Sequence, residues 1–483
     1  MRASEQAAIG RGVSVETLMD QAGDGVARAI RKFFPNPGTC VVFAGKGHNG
    51  GDALVAATCL KQAGWKIDLQ LPFPEEECSE LTRKKLQVFR DARDQNNEVS
   101  SKRIVLDGLL GTGAKSFLRE PIRRSAREIN SLRREENHFV FAVDLPTGLD
   151  ADSGDTDPED SVVADFTLTI GFAKHGLIVD PALDFVGRIE VVPLRDLTAE
   201  ISAPNEIVAT SDSLTSLLPR RKFRSYKNQF GRIGVVAGSK GFVGAALMTT
   251  AGALRAGAGL VELFVLEEIY EVVASAAPVE AMVKPVRKYR DLLEENPDVW
   301  AVGPGLGTAR APEILNLIEN ATQPMVLDAD GLNVLANKTD ILKRSRGPRL
   351  LTPHPGEIQR LFDVGKMVRS GVAKNFCEQF PVTLLFKGSR TIVCERGKPM
   401  SYNTTGNPGM STGGMGDVLT GVCAGLAGRK LALYDVARLG AWACGRAAEI
   451  SIFNFGASEE SLLPTDVLDH LGTVFNELRT PAL

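Results

Sequence analysis

Short apolar runs that end at an aspartate or a glycine-rich loop recur along this chain, and this recurrence restricts the folds that it can adopt. The run at 40–44 leads into a glycine-rich loop, and the runs at 104–106 and 139–143 lead into Asp107 and Asp144. Stretches with apolar residues at helical spacing lie between most of the runs. Short buried strands that alternate with helices are typical of an α/β protein with a mainly parallel sheet.

The same alternation extends into the second half of the chain. Further strands are predicted at 67–71, 166–170, 189–192, 233–237, 260–266, 299–302, 325–327, 350–351 and 384–386. The segment at 195–213 is rich in polar, small and helix-breaking residues, as linkers between domains are. A length of 483 residues has room for two or three domains. We therefore predict two α/β domains, at 1–207 and 208–483.

Composition and charge exclude several classes of partner. Hydrophobic residues make up 43% of the chain and charged residues 24%, and the net charge is −3, which argues against nucleic acid or an anionic membrane as the main partner. The seven cysteines are odd in number and form no C-x-x-C motif, so we predict buried thiols in a reducing, cytoplasmic setting. No apolar run approaches the roughly 18–20 residues that span a bilayer, and the first residues lack the core of a signal peptide.

The polar residues that follow the first-half strands are candidates for a common site. In open α/β sheets a ligand lies beyond the carboxyl ends of the strands, so we expect Asp107, Asp144 and the loop of Asn49 to meet there. Their oxygens suit a hard cation or the hydroxyls of a ribose. The alternative is that each aspartate only caps the turn that follows it.

The second half ends its strands with a different set of polar groups. His354 lies between two prolines after a predicted strand, which indicates a rigid loop that presents the imidazole to a ligand; a buried core histidine is the alternative. Lys387 and neighbouring hydroxyls follow the next strand. The stretch at 403–417 then combines many glycines with Asp417 and precedes a helical pattern. It is typical of a loop and helix N-terminus that bind phosphate, or of a glycine-rich turn in which Asp417 caps the helix.

Two basic segments allow more than one interpretation. The cluster at 220–224 contains three arginines and a lysine, and it either faces phosphates or is a solvated run of charge. The arginines at 123–134 alternate with glutamates and predict a solvated helix face.

The motifs at 47–52, 109–113 and 144–154 resemble those of the NAD(P)H-hydrate epimerase family, and the resemblance covers roughly residues 1–205. It implies a Rossmann-like three-layer α/β domain that interconverts the R and S forms of hydrated NADH and NADPH. It also implies a potassium ion held by Asn49, Asp107 and Thr147, and catalysis by Asp144. The residues implied to bind the hydrated nucleotide are His48, Asn49, Gly50, Gly51, Asp52, Gly111, Thr112, Gly113, Ala114, Lys115, Ser116, Phe117 and Asp144.

The match has departures and one further matching residue. His48 replaces the usual first asparagine, Ala53 replaces a usual glycine and Lys46 stands where proline is common. Lys174 matches a lysine of the family and is interpreted either as a group that neutralises phosphate or assists proton transfer, or as a surface lysine.

The second half resembles the ADP-dependent NAD(P)H-hydrate dehydratase family, which has a ribokinase-like α/β fold. The motifs that carry this resemblance lie at 303–307, 327–330, 352–357 and 406–417, and it covers roughly residues 210–483. The implied contacts to the hydrated dinucleotide are Ala245, Gly305, His354 and Asp417. The implied contacts to the adenine nucleotide are Lys387, Gly388, Ser389, Arg390, Thr391 and Gly416.

Together the two resemblances imply a repair enzyme with small-molecule substrates, and homo-oligomerisation is expected. Asp417 is expected to take the hydroxyl proton of the S hydrate while the β-phosphoryl group of ADP transfers to that oxygen, assisted by the backbone of 413–416 and Mg²⁺. Loss of phosphate then leaves NAD(P)H and AMP. Two alternatives stay open: a ribokinase-like kinase for a small molecule, and a first half that only senses a nucleotide, an alternative that the unusual His48 keeps open.

Overall fold

A computed structural model describes residues 2–95, 100–113, 117–198 and 204–480 of the chain. Contacts between residues divide the chain into two compact units, Met1–Ala203 and Pro204–Leu483. The division falls slightly before the predicted boundary after residue 207.

The first unit is built on a sheet of six parallel strands in the order β2-β1-β3-β4-β5-β6. The strands are β1 (Thr39–Ala44), β2 (Lys66–Gln70), β3 (Arg103–Gly108), β4 (Phe139–Val143), β5 (Phe166–Ile170) and β6 (Arg188–Val192). The helices are α1 (Arg2–Gly10), α2 (Val15–Phe33), α3 (His48–Gln62), α4 (Glu80–Asp91), α5 (Ile122–Glu135) and α6 (Leu183–Val186).

The order of these strands fixes where a ligand can bind. The chain passes from β1 to β2 on one side and then returns to place β3 on the other side of β1. In parallel sheets the crevice beyond such a switch point, at the carboxyl ends of the strands, is the usual ligand site. The loops after β1 and β3 therefore lie where the sequence predicts the first site.

Local signals in the sequence explain the helices that cover this sheet. The side chain of Ser14 accepts a hydrogen bond from the Thr17 N–H and so caps α2, as its position before an apolar period predicts. The apolar face of α2 is buried, and Phe33 and Phe34 at its end pack against the aromatic rings of β4 and β5. In α5, Ile122, Ala126 and Ile129 are buried on one face.

The second unit is built on a sheet of ten strands in the order β10-β9-β8-β11-β12-β13-β14-β15-β16-β7. The strands are β7 (Glu206–Ala209), β8 (Arg232–Val236), β9 (Leu260–Leu266), β10 (Met282–Val286), β11 (Val299–Val302), β12 (Met325–Leu327), β13 (Arg349–Leu351), β14 (Thr383–Phe386), β15 (Ile392–Cys394) and β16 (Met400–Asn403). The helices are α7 (Ser211–Thr215), α8 (Val243–Arg255), α9 (Tyr270–Ala276), α10 (Ala311–Asn320), α11 (Asp330–Asn333), α12 (Pro355–Leu361), α13 (Arg369–Gln379), α14 (Met415–Ala427), α15 (Leu433–Phe455) and α16 (Pro464–Arg479).

Most of this second sheet is parallel, as predicted, but one end is not. β15 pairs antiparallel with both β14 and β16, so this part is a meander of short strands. β7 pairs parallel with β16 at the edge, although the segment that contains it reads as a linker in the sequence. The sequence analysis also missed β10, β15 and β16.

Helices α8 and α14 pack closely because glycines face each other across their contact. A Cβ atom added to Gly421 of α14 would lie 2.0 Å from the carbonyl oxygen of Thr249 in α8. One added to Gly252 of α8 would lie 2.6 Å from the carbonyl oxygen of Val418. The absence of side chains at these positions lets the two backbones touch, and this contact sets the position of α14 relative to α8.

Two further features concern the cysteines and the apolar character of the helices. All seven cysteines are free, and all but Cys59 are buried. Among the described residues, no helix combines the length and the apolar character that crossing a membrane requires.

Candidate functional site

In the first unit, α3 begins directly at the motif that follows β1. Gly47 is the N-cap of α3, so His48, Asn49, Gly50, Gly51 and Asp52 form its first turns and leave backbone N–H groups free for an anion. A side chain at Gly50 is excluded, because a Cβ atom there would lie 1.8 Å from the carbonyl oxygen of Gly45. His48 is exposed and Asn49 is buried.

Asp107 at the end of β3 is fully buried and organises the loop after β4. Its carboxylate accepts hydrogen bonds from the backbone N–H of Thr147 at 2.8 Å, from the Thr147 hydroxyl at 2.8 Å and from the Leu109 N–H at 3.2 Å. Burial raises the pKa of Asp107 to about 6, although these hydrogen bonds act in the opposite direction. No ion pair in the described part of the chain involves this carboxylate.

Asn49 lies next to the loop that follows Asp107. A Cβ atom added to Gly111 would be 3.3 Å from the Asn49 Oδ1 atom, which brings the loops after β1 and β3 into contact. The structure thus brings together the predicted set of Asn49, Asp107, Thr147 and Gly111.

Asp144 at the end of β4 is held in an unusual backbone conformation, with φ of 69°. Its Oδ1 atom accepts a hydrogen bond from the Ile170 N–H at 3.0 Å and forms an ion pair with Lys174. The Lys174 ammonium also donates to the Thr169 hydroxyl at 3.1 Å and to the Ile170 carbonyl at 2.9 Å. Lys174 is 9% exposed, so its interpretation as a surface lysine is wrong.

Asp52 lies near enough to this ion pair for the charges of both partners to shift its pKa. Burial and the nearby charge of Asp144 raise the pKa of Asp52 well above its ordinary value, although Lys174 lowers it. Two carboxyl groups in different environments can divide the work of giving and accepting a proton. Asp52 and Asp144 are therefore a candidate acid–base pair.

The remaining predicted residues of this site lie in the loop after β3. Gly111 is half-buried, and Thr112, Gly113 and Phe117 are exposed. Ala114, Lys115 and Ser116 lie outside the described residues.

In the second unit, α14 begins one turn before Asp417 and not at it. Gly414 is the N-cap, with φ of 95°, and no side chain caps the helix. The interpretation of Asp417 as the helix cap is therefore wrong; it lies in the first turn, where its charge suits the helix dipole. The apolar positions that follow are placed as predicted, because Val418, Val422 and Leu426 are buried in the core.

A buried ion pair lies beside the start of α14. The Lys387 ammonium donates to Asp328 Oδ1 at 2.7 Å, and the Thr420 hydroxyl of α14 donates to Asp328 Oδ2 at 2.9 Å. Burial opposes ionisation of Asp328, but the charge of Lys387 together with hydrogen bonds from Lys387, Thr420 and Thr352 outweighs burial and lowers the pKa of Asp328 below its ordinary value. A Cβ atom on Gly416 would lie 3.1 Å from Asp328 Oδ2 and 3.3 Å from Lys387 Nζ. Glycine at 416 thus keeps this pair open to a ligand.

Asp417 has the properties of a general base. Burial and the charge of Asp328 raise its pKa to about 6, and Lys387 opposes this shift. A carboxylate with a pKa slightly below neutral is mostly ionised at neutral pH and accepts a proton more readily than an ordinary aspartate.

His354 lies at the N-terminus of α12 and has a structural partner. Its Nδ1 atom accepts a hydrogen bond from the Gly356 N–H at 3.0 Å, and Glu357 accepts one from the His354 N–H at 2.8 Å. The imidazole is half-exposed and is not a core histidine. Glu357 is also 3.8 Å from the Lys387 ammonium. The three-residue spacing of His354 and Glu357 is that of a capping box, which is a signal that the sequence analysis missed.

Ala245 and Gly305 are neighbours at the carboxyl ends of β8 and β11. Gly305 has φ of 64°, and a Cβ atom there would lie 2.9 Å from both Ala245 Cβ and Phe242 Cβ. The Ser239 hydroxyl donates to the Gly305 carbonyl at 2.7 Å. The aromatic ring of Phe242 is 63% exposed beside these residues, and it is a candidate contact that the sequence analysis did not single out.

The predicted nucleotide contacts after β14 form a tight connection to β15. Lys387, Gly388, Ser389, Arg390 and Thr391 lie between two strands that pair antiparallel. Lys387 points at Asp328, Ser389 is exposed and Arg390 is buried. This segment therefore reaches the start of α14 through Lys387.

Comparisons with known proteins agree in both halves of the chain. A family model described as YjeF-related protein N-terminus matches residues 15–176, and one described as NAD(P)H-hydrate dehydratase matches residues 233–471. The bifunctional NAD(P)H-hydrate repair enzyme Nnr of Moorella thermoacetica is 33% identical over 95% of this chain and 92% of that protein. The Escherichia coli enzyme of the same name is 33% identical over 98% of this chain and 92% of that protein.

Solved structures resemble the second unit. An ADP/ATP-dependent NAD(P)H-hydrate dehydratase from Bacillus subtilis, co-crystallised with ATP and Mg²⁺, is 27% identical with a TM-score of 0.50. The match covers 58% of this chain and 99% of that chain. A ribokinase-like superfamily protein from Enterococcus faecalis V583 is 24% identical with a TM-score of 0.50. The predicted ribokinase-like α/β fold is confirmed.

Proposed function

Because the chain belongs to the family of bifunctional NAD(P)H-hydrate repair enzymes, we propose that its first unit epimerises hydrated NADH and NADPH and its second unit dehydrates the S hydrate with ADP. The observation that carries the second half of the proposal is the group of Asp328, Lys387, Gly416 and Asp417 at the start of α14. It combines a base, a fixed cation and free backbone N–H groups, which phosphoryl transfer to a hydroxyl requires.

In the second unit the base and the cation have separate tasks. Asp417 takes the proton of the hydroxyl on the reduced ring, and Lys387, oriented by Asp328, faces the phosphate oxygens. The N–H groups of the first turn of α14 hold the charge that develops on the transferred group. Ala245, Gly305 and His354 bind the hydrated dinucleotide, and residues 387–391 bind the adenine nucleotide.

Mg²⁺ fits this site as a partner of the nucleotide. Among the described residues no group of three or more His, Cys, Asp or Glu side chains could hold a metal ion. Mg²⁺ commonly takes most of its ligands from phosphates and water, and when bound it neutralises charge on the phosphate oxygens. The preference for ADP over ATP is part of this proposal.

In the first unit, Asp144 and Asp52 are proposed to move the proton that epimerisation requires. Asn49, Asp107 and Thr147 would hold K⁺, which is supported by a buried Asp107 carboxylate without a cationic partner among the described residues. The other proposed contacts to the hydrated nucleotide are His48, Gly50, Gly51, Gly111, Thr112, Gly113, Ala114, Lys115, Ser116 and Phe117.

The cellular compartment and the oligomeric state are also part of the proposal. Seven free cysteines support a reducing, cytoplasmic compartment. Homo-oligomerisation stays a prediction.

The test follows the recovery of NAD(P)H absorbance when the full chain is mixed with S-form hydrate and ADP. We expect recovery that depends on ADP and Mg²⁺, together with release of phosphate and AMP. The Asp417→Ala variant should bind nucleotide but lose turnover, and near-normal turnover would contradict the role given to Asp417. R-form hydrate should be consumed only when the first unit is intact, so R-form hydrate that persists would contradict the epimerase half.

A further inference from the structure

The second unit contains a basic cavity that the proposed reaction does not use. The cavity has a volume of about 530 Å³ and is lined by Arg220, Arg221, Asn476, Arg479 and Thr480. Arg220 and Arg221 belong to the segment for which the sequence left a phosphate contact and a solvated charge run as alternatives.

The cavity lies at the far end of α14 from Asp417. Arg429 lies two residues after the end of α14 and donates to the carbonyl of Pro219, next to the cavity. Asp417 is in the first turn of this 13-residue helix, and a helix of that length spans about 20 Å. The cavity is therefore separate from the candidate site at the carboxyl ends of the strands.

Contacts within the protein hold two of the three arginine side chains that line the cavity. Arg221 donates to the Gly257 carbonyl at 2.6 Å, and its guanidinium carbon lies 3.6 Å from the centre of the Phe230 ring. Gly257 has φ of 93°, and a Cβ atom there would lie 2.6 Å from Arg221 Nη2. Arg479 donates to the Leu218 carbonyl at 3.4 Å. Arg221 is exposed, yet these contacts give its side chain one defined position beside Arg479.

The cluster has positive charge without a matching carboxylate. None of the ion pairs in the described part of the chain includes Arg220, Arg221, Arg429 or Arg479. Burial lowers the pKa of Arg429, and Arg221 and Arg479 lower it further; burial, Arg221 and Arg220 lower the pKa of Arg479. Arg479 is the last residue of α16, so the helix dipole explains a positive charge at this position. Arg220 and Arg221 lie outside any helix, and the dipole does not explain their charges.

We propose that this cavity binds an oligophosphate anion at a second site, outside the site of the repair reaction. Guanidinium groups bind phosphate oxygens in pairs of parallel hydrogen bonds, and three of them line the cavity. Asn476 and Thr480 add neutral hydrogen-bond donors. The volume has room for a chain of phosphates, free or carried by a nucleotide, and an anion there relieves the repulsion among the arginines.

The test measures binding of inorganic tripolyphosphate to the full chain by titration calorimetry, with saturating AMP present to occupy the nucleotide part of the candidate site. The pocket variant is Arg221→Gln with Arg479→Gln. The matched control is Lys222→Gln with Arg224→Gln, which removes the same charge from exposed positions that do not line the cavity. We expect roughly tenfold weaker binding or more in the pocket variant and less than about threefold in the control.

Further measurements identify the ligand and exclude a folding defect. Tighter binding of ATP than of tripolyphosphate, lost in the same variant, supports a nucleotide as the source of the phosphates; equal binding supports the phosphate chain alone. Thermal melts and dehydration of S-form hydrate at saturating ADP should be the same in both variants. Equal loss of binding in the two variants, no binding to the unmodified protein, or tighter binding of single-stranded oligonucleotide than of either phosphate ligand would overturn the proposal.

Discussion

Asp417 faces two charged side chains whose effects oppose each other. Burial and Asp328 raise its pKa to about 6, while Lys387 lowers it. Lys387 is itself bound to Asp328, so its charge is shared and only partly offsets the shift. The result is a carboxylate whose protonation changes within the pH range in which an enzyme can be assayed.

The dehydration rate should therefore depend on pH in a way that reports Asp417. Because the base must be ionised, kcat/KM should fall as the pH decreases through about 6, whereas an ordinary aspartate would keep it constant to about pH 4. The measurement is initial rate against pH at low hydrate concentration. A rate that stays constant down to about pH 4 would show that Asp417 is not the base.

Stability should also depend on the charge of Asp417. Its folded-state pKa is higher than its unfolded-state pKa, so it contributes stability below pH 4 that is lost as the pH rises through about 6. Asp417→Asn should raise Tm above the unmodified protein at about pH 7.5, and the difference should vanish near pH 4.

Asp340→Asn is the control, because the pKa of Asp340 is shifted in the opposite direction from that of Asp417. Asp340 is exposed and its hydrogen bond to Lys343 lowers its pKa, so its replacement should reduce stability slightly or not at all at neutral pH. Equal changes in Tm for both variants would contradict the assignment of the effect to the burial of Asp417.

Lys174 has a structural task that can be separated from catalysis. Lys174→Met leaves Asp144 buried beside Asp52 without its cation, and breaking such a pair costs about 3–5 kcal/mol. We expect this loss in denaturant unfolding of the first unit, together with loss of epimerisation. The double variant with Asp144→Asn should regain most of the stability but no activity. Lys84→Met, at an exposed ion pair, should cost less than about 1 kcal/mol.

At the scale of elements, the contact between α8 and α14 places the candidate base. The backbones touch at Gly252 and Gly421, so a change at the contact moves the helix that carries Gly416 and Asp417. The site and the core of the second unit thus depend on the same glycines.

Gly421→Ala should lower both stability and dehydratase activity, because its Cβ atom would lie 2.0 Å from the Thr249 carbonyl and force the helices apart. The matched control is Gly472→Ala in α16, where nothing lies within 4 Å of the added atom. That change should stabilise the protein by about 0.5–1 kcal/mol with unchanged activity. Thermal melts and the hydrate assay measure both effects, and a neutral Gly421→Ala would contradict the described contact.

The sequence allowed prediction of elements where one local signal dominates. The buried apolar runs at 139–143 and 260–266 are strands as predicted, because their composition leaves no alternative to burial. β7 and β16 are short and mix polar with apolar residues, and only pairing across the sheet makes them strands. β10 contains Pro285, which argues against a strand unless the strand lies at an edge, as it does here.

The candidate sites could be predicted in part for a similar reason. Asp107 and Asp144 could be predicted because each follows a short apolar run, which places the aspartate near the carboxyl end of a strand. The burial of Lys174 and its ion pair with Asp144 arise from the packing of separate elements, which no local pattern contains. The N-cap of α14 was predicted wrongly because Gly414, in the left-handed region, occupies this position instead of a residue whose side chain caps the helix.

At the scale of the whole molecule, the two units have separate cores and separate candidate sites. The Bacillus subtilis dehydratase is matched over 99% of its length by part of this chain, which supports independent folding of the second unit. The second unit can therefore be tested as a separate fragment.

Residues 204–483 alone should dehydrate S-form hydrate at a rate within about twofold of the full chain but should not consume the R form. A second fragment that begins at 211 lacks β7 and leaves the edge of β16 unpaired, so it should be less stable and more prone to aggregate. Activity and light scattering of the two fragments measure the difference. Equal behaviour would contradict the assignment of β7 to this sheet.

The position of β7 also limits how evolution can rearrange the coding sequence. From its composition, the polar segment between the units could be divided at any point. However, Glu206–Ala209 belongs to the sheet of the second unit through its pairing with β16. A gene fission that separates the two activities must therefore place its new start codon before codon 206, and a fusion must join there as well.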